Sequence, residues 1–320
     1  MGEKKKLIVL IGPTAVGKTK LSIEIAKKLN GEIISGDSMQ IYKQLDIGTA
    51  KIHKEEMEPI PHHLIDIREP TESFSVADFQ QEVRKLINEI TARGKVPMLV
   101  GGTGLYIQSV IYDYQFSESG ENEQIRSRLE NLLEEKGEEH LHSLLQNVDP
   151  KSAEVIHPNN VRRVIRALEV FESTGRTFSS QNENQHNELL YDVAIIGLTM
   201  DRERLYERIN KRVDIMVDSG LINEVKTLYD GNIRNCQSVQ AIGYKELYDY
   251  FEGRTSLEKA IELIKQNSRR YAKRQLTWFR NKMDVSWFEM KEPLDEKLQQ
   301  IFEFVAGKLE LEANNKQYRD

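Results

Sequence analysis

Cysteine is almost missing from this 320-residue chain: Cys236 stands alone. A single thiol excludes a disulfide framework and any zinc site built from several cysteines, and it points to a reducing compartment, the cytoplasm. Long apolar runs are missing too. The run Leu7-Ile8-Val9-Leu10-Ile11 is far too short to cross a bilayer or to form the core of a signal sequence. No repeat array and no low-complexity tail are present. A global excess of positive charge is also absent. The formal net charge is −6, so contact with nucleic acid must come from local basic faces. What remains is a soluble chain long enough for one large domain or two ordinary ones, with a core that needs no staples.

The short apolar run leads at once into Gly12-Pro13-Thr14-Ala15-Val16-Gly17-Lys18-Thr19, which matches the phosphate-loop pattern G-x-x-x-x-G-K-S/T at every fixed position. The context is right as well: a buried-type strand precedes it, and the helix that follows has Leu21, Ile25, Ala26 and Leu29 on one face. The glycines let successive backbone N–H groups turn inward around an anion, Lys18 adds a mobile positive charge, and Thr19 offers a hydroxyl to Mg2+. A di- or triphosphate is the expected guest. A bare glycine turn between strand and helix would have no need of the Gly-Lys-Thr ending.

Two more strand ends carry candidate chemistry. The stretch Gly31 to Gln40 reads as a short strand that ends in small polar residues, and Asp37 within it is a candidate base or magnesium ligand, or else a helix cap or Asx-turn residue. Val96 to Val100 is a buried strand running into Gly101-Gly102-Thr103-Gly104, a turn that lets a backbone and one hydroxyl approach a ligand, or simply opens a helix. Between them, residues 41–74 read as loop around a short strand over His62 to Ile67. The paired histidines lack a ligand cluster and read as solvated or packed. Ser75-Val76-Ala77-Asp78 reads as a capping box opening a helix with Phe79, Val83, Leu86, Ile87 and Ile90 on one face.

From about Tyr114 to Tyr191 strands vanish and helical periodicity takes over. The expected architecture is therefore α/β: a P-loop NTPase-like parallel sheet flanked by helices (residues 1–115 and 191–320) with a smaller all-helical insertion domain (residues 116–190). Arginine recurs in the helices. Arg162, Arg163 and Arg166 lie close together after a Pro-Asn start and suit a phosphate-contacting face or a solvated one. Arg204, Arg208 and Arg212 follow at i, i+4 and i+8; on a lid helix Arg208 or Arg212 would clamp a phosphate group, and plain ion pairing is the other reading. Lys265 to Lys282 holds seven basic residues, no acid, and the aromatic side chains of Tyr271, Trp278 and Phe279. That segregation in an acidic chain suits a surface that meets RNA phosphates.

Six segments in order, GPTAVGKT, SGDSMQIY, GGTGLY, HPNNVRRVIRALEV, QAIGYKE and KRQLTWFR, resemble the bacterial tRNA dimethylallyltransferases, also called tRNA isopentenyltransferases. The resemblance runs from about Leu7 to about Arg280. It implies transfer of a dimethylallyl group from dimethylallyl diphosphate to the exocyclic N6 amine of the adenosine 3′ to the anticodon, with diphosphate released. By the same match Asp37 accepts the amine proton, Thr103 contacts the diphosphate oxygen at the breaking bond, and Lys18, the loop amides and Thr19-bound Mg2+ hold the diphosphate. The tRNA side is assigned to Asp37, Ser38, Met39, Gln40, Thr103, Arg126, Arg162, Arg163, Val164, Ile165 and Arg166. To these the resemblance adds Gln240, Ala241, Ile242, Gly243, Tyr244 and Lys245, then Lys273, Arg274, Gln275, Trp278 and Arg280. A monomer that uses tRNA and no membrane is expected.

Three other readings compete. A prenyltransferase acting on free adenosine phosphates would share the catalytic residues. A small-molecule ATP kinase would share the phosphate loop and lid arginines but has no use for the basic, aromatic segment. An RNA-binding ATPase switch would want an acidic strand end, which only Leu64-Ile65-Asp66 offers.

Overall fold

The computed structural model describes residues 4–57, 59–114, 116, 122–183, 186–291 and 294–311. Eight strands are present among them: β1 (Lys6–Ile11), β2 (Gly31–Gly36), β3 (His62–His63), β4 (Val96–Gly101), β5 (Tyr112–Asp113), β6 (His186–Leu189), β7 (Asp192–Thr199) and β8 (Ser286–Glu289). Helices α1 (Lys18–Leu29), α2 (Lys54–Met57), α3 (Val76–Ala92) and α4 (Gly104–Ile111) alternate with the first strands. Helices α5 (Glu123–Val148), α6 (Pro150–Val155), α7 (Val161–Thr174) and α8 (Phe178–Glu183) follow. The chain then returns through α9 (Arg202–Asp218), α10 (Leu221–Asp230), α11 (Tyr244–Phe251), α12 (Leu257–Lys282) and α13 (Leu294–Leu309).

The chain divides into two compact units, residues 1–111 with 189–320 and residues 112–188. The first unit is built on a six-stranded sheet of order β3-β2-β4-β1-β7-β8, with every pair parallel. Its strands are near-continuous apolar runs because helices cover both faces; Leu7 to Ile11 have no exposed surface at all. The amphipathic face expected for α1 is realised, with Leu21, Ile25, Ala26 and Leu29 buried. The capping box of α3 forms in full around Ser75 and Asp78. The strand expected over His62 to Ile67 shrinks to two residues, since Leu64 and Asp66 take left-handed backbone (φ 62° and 56°) that no strand tolerates.

The second unit packs Leu129, Leu141 and Leu145 of α5 against Val164, Ala167 and Leu168 of α7. It is not wholly helical, because β5 and β6 pair as a two-stranded ladder. Gly137, at φ 81°, breaks α5 into two helical stretches.

Candidate active site

Parallel strands deliver their following loops to one edge of the sheet. The loops after β1, β2 and β4 therefore converge in the first unit. There, Thr14, Asp37 and Ser38 line a cavity of about 400 Å3 together with Arg212 of α9 and Tyr271 and Arg274 of α12. Val213, Met216, Leu221 and Ile264 give the same cavity apolar lining.

The phosphate loop takes left-handed backbone at Gly12 (φ 155°), Ala15 (φ 65°) and Gly17 (φ 107°). A Cβ on Gly12 would lie 2.8 Å from the Leu198 carbonyl oxygen, so that position admits only glycine. Ala15 holds its conformation at a cost on the order of 1 kcal/mol, a strain characteristic of loops shaped for a ligand. Lys18 donates through Nζ to the carbonyls of Gly12 (2.9 Å) and Pro13 (2.8 Å). Burial and the neighbouring Arg212 guanidinium push its ammonium down to about 7, against the opposing pull of Asp37. Arg212 is itself lowered by burial, with Asp37 opposing and Arg208 adding to the shift. Two desolvated cations thus share one nearby carboxylate, and the positive potential left over is suited to a bound polyanion.

Asp37 accepts from the Met39 amide at 2.8 Å through Oδ1, an Asx turn, and its Oδ2 has no hydrogen-bond partner among the described residues. The turn aims the carboxylate, so the bland and the chemical readings of Asp37 describe one geometry. Thr103 receives the Ser38 amide at 3.4 Å, and beside it stands Tyr271, whose pKa burial and Asp37 raise to about 12. Mg2+ prefers one or two carboxylates completed by phosphate oxygens. Among the described residues the Thr19 hydroxyl has no protein partner, Asp37 keeps one oxygen free, and no group of three His, Cys, Asp or Glu exists. That donor set fits an ion carried in on a diphosphate.

Comparison with known proteins agrees with this geometry. The IPP transferase family model matches residues 40–282, most of the chain. The chain belongs to the IPP transferase family. A tRNA dimethylallyltransferase of Bacillus cereus (strain Q1) is 64% identical over 98% of this chain and 99% of that protein, and one of Bacillus anthracis (strain CDC 684 / NRRL 3495) is equally similar. Among solved structures, the full-length tRNA isopentenylpyrophosphate transferase of Bacillus halodurans is 57% identical with a TM-score of 0.73, covering 96% of this chain and 97% of that one. A eukaryotic dimethylallyltransferase captured acting on tRNA is 33% identical with a TM-score of 0.80, covering 92% of this chain and 77% of its own.

Several residues expected at the tRNA face of this IPP transferase have other surroundings. Tyr244 is fully buried and donates its hydroxyl to Glu224 at 2.6 Å; only Gln240, Ala241, Ile242, Gly243 and Lys245 of that segment line the cavity. Val164 and Ile165 belong to the core of the second unit. Arg126 and Arg166 both reach Glu169 at 3.0 Å, while Arg162 and Arg163 of the same helix face are exposed and unpaired among the described residues. Gln40 is held by Ser35 and the Thr49 carbonyl, and Gln275 is buried. Met39 and Arg274 line the cavity; Lys273, Trp278 and Arg280 are exposed. Arg212 enters the cavity and Arg208 stands beside it, exposed.

The glycine turn opens α4, one of its two expected readings, and its glycines also make room for protein neighbours. A Cβ on Gly101 would strike the Gly36 backbone at 2.3 Å, on Gly102 the Gln275 amide at 2.1 Å, and on Gly104 the Trp278 ring at 2.2 Å. Those glycines admit protein neighbours. The histidine pair is packed: His63 meets Glu32 at 2.8 Å and His62 meets the Ile60 carbonyl. Asp66 pairs with Lys51 at 2.5 Å, which removes the acid that an ATPase switch required.

Two residues escaped the sequence reading. Glu224 accepts from the amides of Asp46, Ile47 and Gly48, fixing the loop whose Gly48 and Thr49 line the cavity. Lys51 ties that loop to Tyr42, Asp46 and Asp66. Neither belongs to a motif. The available signal for Gln275 was a polar residue in the apolar stripe Ile264, Ala272, Phe279 of α12.

Proposed function

We propose that this protein transfers the dimethylallyl group of dimethylallyl diphosphate to the N6 amine of the adenosine 3′ to the anticodon in tRNA, releasing diphosphate. The observation that carries the reading is the cavity itself, where an anion-seeking phosphate loop, a free carboxylate oxygen and apolar lining meet in one volume. The names of relatives 64% identical support it.

The chemistry follows from those parts. The C1–O bond of the allylic ester breaks and its electron pair leaves with the diphosphate, while the N6 lone pair forms the new bond to C1. Negative charge grows on the diphosphate, where Lys18, Arg212 and the loop amides stabilise it. Mg2+ would be held by Thr19 together with the diphosphate and would supply further charge neutralisation. Asp37 takes the amine proton, and Thr103 directs its hydroxyl to the bridging oxygen. The acceptor base must leave its stack to enter the cavity. Arg270, Lys273 and Arg274, exposed on α12, are free to hold its phosphates.

The test offers labelled dimethylallyl diphosphate and Mg2+ with tRNA, with AMP, or with no acceptor. Label on tRNA alone is expected. Label on AMP alone would make it an adenosine-phosphate prenyltransferase, and ATP turnover without RNA would make it a kinase.

A further inference from the structure

Gln275 lies on α12 between two loops that belong to different strands. Its Oε1 accepts the amide of Thr14 in the phosphate loop at 3.0 Å, and its Nε2 donates to the carbonyl of Gly102 in the glycine turn at 2.9 Å. The side chain is 6% exposed, too enclosed to serve as an RNA contact. One helical turn earlier on the same face, Tyr271 lies beside Thr103 and Gln275. One turn later, Trp278 lies against Gly104. The inward face of α12 thus touches the phosphate loop and the glycine turn, while Arg270 and Lys273 are exposed and Arg274 lines the cavity.

We infer that Gln275 is a positioning residue: its amide, seated between Thr14 and Gly102, sets the spacing of the phosphate loop from the turn that carries Thr103, and so aligns the diphosphate with the hydroxyl at its breaking bond. The inference rests on the function proposed above. Two opposed demands identify the amide. Thr14 needs an acceptor and Gly102 needs a donor, and only a primary amide of this length meets both. Glutamate would keep the first bond and set a carboxylate against a carbonyl and beside the anion site. Methionine would fill the space and make neither bond. Glycine at position 102 follows from the same contact, since any Cβ there would stand 2.1 Å from Nε2.

Transfer to tRNA at saturating substrates, tRNA affinity and thermal unfolding are measured for the full chain and five variants. Gln275→Met is expected to lower kcat at least tenfold with tRNA Kd within twofold, and Gln275→Glu to lower it further and raise the KM for dimethylallyl diphosphate. A loss caused by instability would follow the melting temperature, and assay well below that temperature separates the two. Gly102→Ala pushes the same amide from the other side and is expected to lose kcat likewise. In the double variant Gln275→Ala/Gly102→Ala the second substitution should add less than twofold to the loss of Gln275→Ala, because the obstructed group is gone. Unchanged kcat in Gln275→Met, a loss seen wholly as weaker tRNA binding, or independent multiplying losses in the double variant would overturn the inference. If the Gln275 variants do not fold, Gly102→Ala alone decides by the same kcat and Kd criteria. Absence of transfer by the unsubstituted chain would instead overturn the proposed function.

Discussion

Two charge clusters, one in each unit, have opposite character. In the second unit Glu169, with no exposed surface, receives Arg126, Arg166 and the Asn122 amide. Burial acts to raise its carboxyl, and those hydrogen bonds outweigh it, so the pKa falls below the ordinary glutamate value. In the first unit Lys18 has only neutral carbonyls to donate to and a second cation nearby, and its pKa falls to about 7. Glu169 is a satisfied charge and stabilises its unit. Lys18 is an unsatisfied one, costs stability, and marks where an anion binds. Both clusters contain arginines on helices that look alike in sequence; the buried carboxylate makes the difference.

The comparison breaks most sharply at turnover. Asp37→Asn should lower kcat by about 10²–10⁴, the contribution of a general base, with tRNA binding retained in a filter or gel-shift assay. Lys18→Met should lose about 10²–10³ in kcat, as removal of one charge-stabilising donor does, yet unfold at the same temperature or higher. Glu169→Ala should do the converse and destabilise its unit by about 2–4 kcal/mol in a melting experiment, the range for a broken buried pair reduced because both arginines are partly exposed.

A pH series sharpens the contrast. Between about 7 and the ordinary lysine value of 10.5, the unfolded chain holds a proton on Lys18 that the folded chain has lost, so ligand-free stability should rise with pH across that window. Lys18→Met should flatten the rise. The Glu169 contribution has the opposite range: it is complete above the ordinary carboxylate value and disappears as pH falls through the lowered folded value. The smallest effect is expected on the outer face of α12. Arg270→Ala should weaken tRNA binding and reduce the slope of log affinity against log salt by about one, with inorganic diphosphate affinity unchanged by titration calorimetry.

The elements that were legible in sequence are those specified by local rules. The β1 strand, the phosphate loop and the Ser75 capping box each need only neighbouring residues, and each appears where its pattern ends. The side chains that were misplaced are those whose neighbours come from far along the chain. Tyr244 resembles a loop aromatic offered to a base, until Glu224 and Gly48 close over it. Gln275 resembles one more polar residue in a basic helix, until Thr14 and Gly102 arrive from 261 and 173 residues away.

By itself the sequence determined that a strand, an anion cradle and a helix follow one another, that further parallel strands end in Asp37 and Thr103, and that basic side chains gather on α12, since backbone conformation and helical or strand periodicity are local properties. Only the tertiary structure decided which arginines remain free for RNA and which neutralise Glu169, why Gly101, Gly102 and Gly104 must lack side chains, and how Lys18 comes to sit beside Arg212. Burial and charge pairing arise from residues that are distant in sequence, and no short-range pattern encodes them.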